Sequence, residues 1–231
     1  MSMDKYLAVS FLLSISSFCF GHGNDDPLLW SSNFHEIEFS ENDYLKIDND
    51  SWIGRDLKKL WIKAEVERYR GETESAELQV LYKQAIAANW NVQAGYRRDF
   101  EPQPKHSWAV IGVEGLAPYY IEIDTTFYLG DKGRLAFRFE AEYEMLITQK
   151  ITLTPRFEFN VFAQNEESTN SGSGLSNTEI DLRLRYHIKR EFAPFIGVSW
   201  NSHHGNTADF LRTKNEKINE SRWLIGFEFW I

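Results

Sequence analysis

The stretch LAFRFEAEYE, residues 135–144, is the one from which the fold of this chain can be read. Leu135, Phe137, Phe139, Ala141 and Tyr143 fall on one row of an extended strand, and Arg138, Glu140, Glu142 and Glu144 on the other. At the period of a helix the two classes would mix around the axis, so the segment reads as a strand with one oily and one ionic face. Its neighbours repeat the contrast. Residues 150–162 set Ile151, Leu153, Phe157, Phe159 and Val161 against Thr152, Thr154, Arg156, Glu158 and Asn160. Residues 177–188 set Ile180, Leu182, Leu184, Tyr186 and Ile188 against Glu179, Asp181, Arg183, Arg185 and His187.

Ten such runs cover 58–69, 74–86, 90–99, 107–116, 119–129, 134–144, 150–162, 177–188, 193–201 and 221–231. Alternation alone does not say which row faces outward, because a soluble calyx would keep the oily row inside. Run length favours a membrane: most have 9 to 13 residues, long for a globular strand and suited to a tilted crossing of about 9–11. No charge interrupts the middle of an oily row, where Arg or Lys facing lipid would cost about 2–4 kcal/mol, and Arg68, Glu74 and Arg98 stand only at run ends. Large aromatics gather near run ends (Tyr69, Trp90, Phe100, Tyr119, Tyr143, Tyr186, Trp200, Trp223, Phe229), as interfacial girdles require. Connectors alternate in length, with 87–89, 117–118, 145–149 and 189–192 short and 164–176 and 202–220 long.

The expected fold is therefore an all-β, transmembrane, antiparallel up-and-down β-barrel of about ten strands, with short periplasmic turns and longer extracellular loops. The last run places Trp223, Ile225, Phe227, Phe229 and Ile231 on alternate positions, resembling the C-terminal signal read by barrel-assembly machinery. Pro155 calls for a bulge, because a closed barrel has no free edge to absorb a missing N–H.

Ahead of the barrel, residues 1–21 carry Lys5 and an apolar core over 6–20, a secretory signal cut before His22. Residues 22–56 are polar and acidic, with scattered Trp30, Phe34, Phe39, Tyr44 and Trp52 but no sustained period. They are expected to be a loosely ordered periplasmic segment, which leaves 57–231 as the single outer-membrane domain. No other uninterrupted apolar run of about 18 residues offers a helical span.

Composition narrows the chemistry. The 231 residues are 15% aromatic and carry a formal net charge of -9, from 34 acidic and 25 basic residues, so a nucleic-acid footprint is excluded and cationic partners fit. The one cysteine, Cys19, lies in the signal, so the exported chain has no disulfide and no thiolate ligand. No nucleophile elbow, Gly-rich phosphate loop or HExxH zinc pair occurs, and no enzyme activity is expected.

The runs ELQVLYKQAIAANWNVQAGYRRDF (77–100), WAVIGVEGLAPYYIEIDTTFYLGDKGRLAFRFEAEYEMLITQKITLTPRFEFN (108–160) and GSGLSNTEIDLRLRYHIKREFAPFIGVSWN (172–201) resemble the copper resistance protein B family of outer-membrane proteins. The resemblance covers residues 60–231 and includes turns such as GLAPYY and REFAPFIGV. It implies a barrel that contributes to copper resistance and homeostasis by binding copper ions or controlling their passage. Members commonly have a Met- and His-rich stretch ahead of the barrel, whereas residues 22–56 hold only His22 and His35 and no Met.

Copper, expected as a ligand and not as a catalytic cofactor, prefers imidazole and thioether donors. The candidate ligands are the pair His203 and His204, with Asp209 nearby in a long loop, and His22 at the new N-terminus. His187 near the periplasmic end and His106 in an outer loop read as ordinary polar positions. The inward rows add a possible acidic cation path of Glu114, Glu122, Asp124, Glu140 and Glu142, set against the alternative that Lys63, Arg97, Arg138, Arg156, Arg183 and Arg185 pair across a narrow lumen and plug it. Expected partners are outer-membrane lipid, copper ions, the barrel-assembly machinery and periplasmic copper-handling proteins. A small general porin without a metal role and a surface enzyme are the competing readings.

Overall fold

The computed structural model describes residues 26–41 and 43–231; the expected signal peptide and His22 lie outside the described residues. The chain runs β1 (Leu29–Ser40), β2 (Tyr44–Arg55), β3 (Lys58–Tyr69), β4 (Glu72–Ala87), β5 (Trp90–Glu101), β6 (His106–Ala117), β7 (Ile121–Gly130), β8 (Leu135–Tyr143), the two-residue β9 (Met145–Leu146), β10 (Ile151–Phe162), β11 (Gly174–Tyr186), β12 (Phe192–His203), α1 (Gly205–Thr213) and β13 (Asn219–Trp230). Each long strand pairs antiparallel with its neighbours in one sheet, β9 lies against β10, and β13 closes on β1 through Asn33↔Trp230 to Phe39↔Ile225. Closure removes the free edge that a sheet otherwise exposes. Ile231 is held to the seam: its N–H donates to the Ser32 carbonyl at 2.9 Å, and Ser32 N–H donates back at 3.1 Å.

The wall is oily outside and ionic inside. Along β11, Ile180, Leu182, Leu184 and Tyr186 are exposed, while Asp181, Arg183 and Arg185 between them are buried. Among the described residues, thirty-eight large apolar side chains are exposed against ten buried hydrophobic residues, a surface that water would penalise by about 25 cal/mol per Å² and that hydrocarbon would not. Inside, a small apolar cluster of Leu81, Trp108, Val110 and Tyr128 interrupts the ionic rows.

Twelve long strands replace the expected ten, and the two additional ones, β1 and β2, are cut from the segment expected to be loosely ordered. The physical reason is a bulge. Phe34 stacks on Phe229 outside the wall at 4.4 Å, His35 and the buried Glu36 both face the lumen, and exposure resumes at Phe39, so the period shifts by one residue in mid-strand. The outward side also carries polar residues that satisfy one another. Asn49 Nδ2 donates to the Asn33 carbonyl at 2.9 Å and to Ser32 Oγ at 3.2 Å, and Ser51 Oγ donates to Asn49 Oδ1 at 3.1 Å. A shifted phase and a half-polar outer row together hide the strand signal.

Three smaller expectations change. Pro155 needs no bulge: it pairs with Leu182 on one side and on the other falls in the interval between Leu153↔Met145 and Arg156↔Glu142, where the ladder is already interrupted. Tyr69 is not a girdle residue but lines the lumen beneath Arg222, whose guanidinium lies 5.5 Å from its ring. His106 is the buried first residue of β6 and not part of a loop.

The connectors fall on two rims. The rim that holds the start of β1 and the end of β13 carries 56–57, 88–89, 118–120, 144–150 and 187–191; the opposite rim carries 41–43, 70–71, 102–105, 131–134, 163–173 and 204–218. On that second rim Arg70 and Gly71, at φ 52° and 83°, make the left-handed two-residue turn that matches strand twist. Residues 204–218 fold into α1, pinned where Gly172 N–H donates to Thr207 Oγ1 at 2.8 Å and Asn206 Nδ2 donates to Asn165 Oδ1 at 3.0 Å.

Candidate functional site

Because side chains alternate, each strand delivers every second residue to the lumen, and register stacks like charges side by side. Glu114 stands opposite Asp124, Asp124 opposite Glu140, Glu140 opposite Glu158, and Glu122 opposite Glu142. Directly opposed like charges destabilise a sheet unless something compensates them. Here bases offset them: Lys83 Nζ reaches Glu114 at 2.5 Å, Lys63 Nζ lies 3.8 Å from Asp124, Arg156 binds Glu140 on the neighbouring strand and Glu158 on its own at 2.7 Å each, and Arg185 lies 3.5 Å from Glu142. Among the described residues, Glu122 has no basic partner within 4 Å.

The lumen is divided into two chambers. One of about 510 Å³ reaches the rim of the chain ends and is lined by all five acidic residues singled out from the sequence, Glu114, Glu122, Asp124, Glu140 and Glu142. Its wall holds ten carboxylates, counting Glu36, Asp48, Asp50, Glu65 and Glu77, against five Lys or Arg side chains. The other chamber, about 500 Å³, reaches the opposite rim and holds Glu38, Glu67, Glu179, Glu216, Glu220 and His203 among its lining.

Between them runs a belt of ion pairs. Arg183, 1% exposed, binds Glu36 at 2.8 Å, Glu38 at 2.7 Å and Asp181 at 3.2 Å. Arg156 approaches Glu36 at 3.8 Å and Asp181 at 3.6 Å, and Lys46 lies 3.4 Å from Glu36. Desolvation offsets much of the attraction in such pairs, so the belt is better evidence for a fixed geometry than for stability. Glu36, Glu38 and Lys46 come from β1 and β2 and were invisible to the sequence reading. The fragments EIEF (36–39) and KID (46–48) alternate correctly on their own, but each is too short to stand out.

The histidines do not converge. His203 faces the second chamber, whereas His204 turns to Thr178, its Nε2 2.8 Å from Thr178 Oγ1. Asp209 is engaged by Arg212 at 2.5 Å on α1. His187 Nε2 lies 3.0 Å from Thr152 Oγ1, and His106 Nε2 lies 3.0 Å from Arg134 Nη1. Among the described residues no three His, Cys, Asp or Glu side chains already converge on a metal position. What the lumen offers a cation is excess negative charge with few nitrogen donors.

A twelve-stranded wall with this ionic interior can be compared with known proteins. Residues 28–231 match the family described as Copper resistance protein B precursor (CopB). The chain belongs to the copper resistance protein B family. It is 42% identical over 207 residues to Copper resistance protein B of Escherichia coli, covering 89% of this chain and 67% of that one. It is 39% identical over 205 residues to the Copper resistance protein B homolog of Pseudomonas syringae pv. tomato, covering 89% and 68%. Among solved structures, the NanC porin is similar with a TM-score of 0.58 at 12% identity, over 87% of this chain and 99% of that one. At that identity the likeness speaks for the barrel alone. Family membership and a porin-like barrel thus rest on independent comparisons, one of sequence and one of shape.

Proposed function

We propose that this member of the copper resistance protein B family is an up-and-down barrel of the outer membrane that contributes to copper resistance by taking copper ions into its acidic lumen and controlling their passage. The rim of the chain ends would face the periplasm, with its short turns, and the rim carrying 163–173 and α1 would face outward. It would act without catalysis, with lipid around the wall, the barrel-assembly machinery reading β13, and periplasmic copper-handling proteins receiving or supplying the ion.

The observation that carries the reading is the chamber wall of ten carboxylates against five bases, which favours cations over anions before any specific ligand is considered. Of the imidazoles, His203 is the one facing the outward chamber, where it would meet an ion ahead of His204; His22 would add a terminal chelate on the periplasmic side. Reconstituted in vesicles, the protein should pass or retain copper, and the variant Glu114→Gln/Glu122→Gln/Asp124→Asn should do so several-fold less.

A second reading, a small general porin without a metal role, is favoured by the absence of a converged three-ligand group among the described residues. Potassium conductance that copper leaves unchanged, together with unaltered copper tolerance on deletion, would establish it in place of the first.

A further inference from the structure

The bulge in β1 does more than shift a register. It turns two consecutive side chains, His35 and Glu36, into the same chamber, where a regular strand would have sent one of them to the outer surface. His35 is the one imidazole among the described residues lining that chamber. Its Nε2 lies 3.8 Å from Asp50 Oδ2, too far for a hydrogen bond; the same oxygen has Lys63 Nζ at 3.6 Å, an ammonium that an entering ion would displace. A first-row ion held at about 2.0–2.1 Å by each of two such donors spans a gap of that size.

Two further oxygens of residues lining the chamber are buried and accept no hydrogen bond from the protein. Gln93, 1% exposed, donates through Nε2 to Asp124 and Thr126, while its Oε1 accepts from nothing. Glu36, 4% exposed, binds Arg183 through Oε1; its Oε2 has Lys46 at 3.4 Å but no hydrogen bond. Both residues line the chamber that holds His35.

We propose that His35 with Asp50 forms a nitrogen-plus-oxygen station that gives the chamber its preference for a borderline metal ion such as Cu²⁺ over hard cations such as Mg²⁺. Carboxylates alone do not make that distinction strongly, because oxygen donors suit hard ions, whereas one imidazole favours copper. With only two protein donors the ion keeps water in its shell and binds weakly enough to move on, as conduction requires. The proposal rests on the lumen reading above and adds to it the residue that sets metal preference.

The test uses the exported chain in vesicles, with Cu²⁺ and Mg²⁺ as probes and heat-modifiable gel migration as the check on folding. His35→Ala should lower the Cu²⁺-to-Mg²⁺ binding ratio about ten-fold while leaving Mg²⁺ unchanged. In a His22→Ala/His203→Ala/His204→Ala background, which should itself retain nitrogen coupling in the electron paramagnetic resonance signal of lumen-bound Cu²⁺, adding His35→Ala should remove that coupling. If His35→Ala keeps the ratio and the coupling while the Glu114/Glu122/Asp124 variant loses copper, the station is wrong and the acidic lumen stands. If wild-type protein takes up neither ion, both fall.

Discussion

Replacing Arg183 by Met isolates the energetics of the belt. The methionine fills similar length without charge, and three carboxylates lose their shared guanidinium. Glu36 keeps Lys46 at 3.4 Å and Arg156 at 3.8 Å, and Asp181 keeps Arg156 at 3.6 Å. Glu38, 1% exposed, has Arg183 as its basic partner within 4 Å among the described residues, so the loss concentrates there. One buried, uncompensated carboxylate costs about 3–5 kcal/mol. At about 2–4 °C per kcal/mol for a chain of this size, Arg183→Met should unfold roughly 6–20 °C below wild type. Urea unfolding in lipid vesicles, followed by tryptophan fluorescence and gel migration, measures the loss directly. The double variant Glu38→Gln/Arg183→Met should recover at least half of it, because the orphaned charge is gone. A single variant within about 1 kcal/mol of wild type, or a double variant no better than the single, would refute the assignment of Arg183 as the counter-ion of Glu38.

Three further outcomes follow from the same geometry. Leu182→Arg puts a charge on the outward row of β11 and should cost about 2–4 kcal/mol of folding free energy in a bilayer, read by the same urea titration. At the rim that carries α1, a hydrogen bond from Arg134 holds Asp131 below the usual carboxylate range; at Glu166 burial pushes upward, but hydrogen bonds from Arg134 and Ser168 outweigh it and the carboxyl is also depressed. Folded values below the unfolded ones mean that this tether is fully present above the unfolded range of about 4 to 4.5 and is lost as pH falls through the folded values, so pepsin should cut 163–173 progressively faster as pH is lowered below about 4, while Arg134→Ala should be cut readily across that whole range. Gly172→Ala would place a Cβ 2.1 Å from Thr207 N, forcing α1 away at about 1–3 kcal/mol, seen as faster hydrogen exchange in 205–213 with strand protection unchanged.

Most of the wall is legible in the sequence. The ten runs from 58 onward coincide with ten of the twelve long strands to within about three residues, because a strand with lipid on one side and paired ions on the other must alternate at every step. Where alternation is locally broken, reading from residues failed. The bulge at Phe34–Glu36 shifts the period of β1, and polar Asn49 and Ser51 on the outer row mask that of β2, so ten strands were expected where twelve are found. The acidic candidates were found because they sit on clean inward rows. The belt residues Glu36 and Glu38 were missed because their row begins at the bulge, and Lys46 because the outer row of β2 is polar at Asn49 and Ser51.

Local patterning thus settled the class of fold, the polarity of its two faces and the identity of the inward charges, since each depends only on residues two apart. Strand number, partners across the lumen and the division into two chambers depend on closure, which brings Glu38 to Arg183, 145 residues away in the chain. Which carboxylate meets which base is a property of the circumference and register, and no spacing along a single strand contains it.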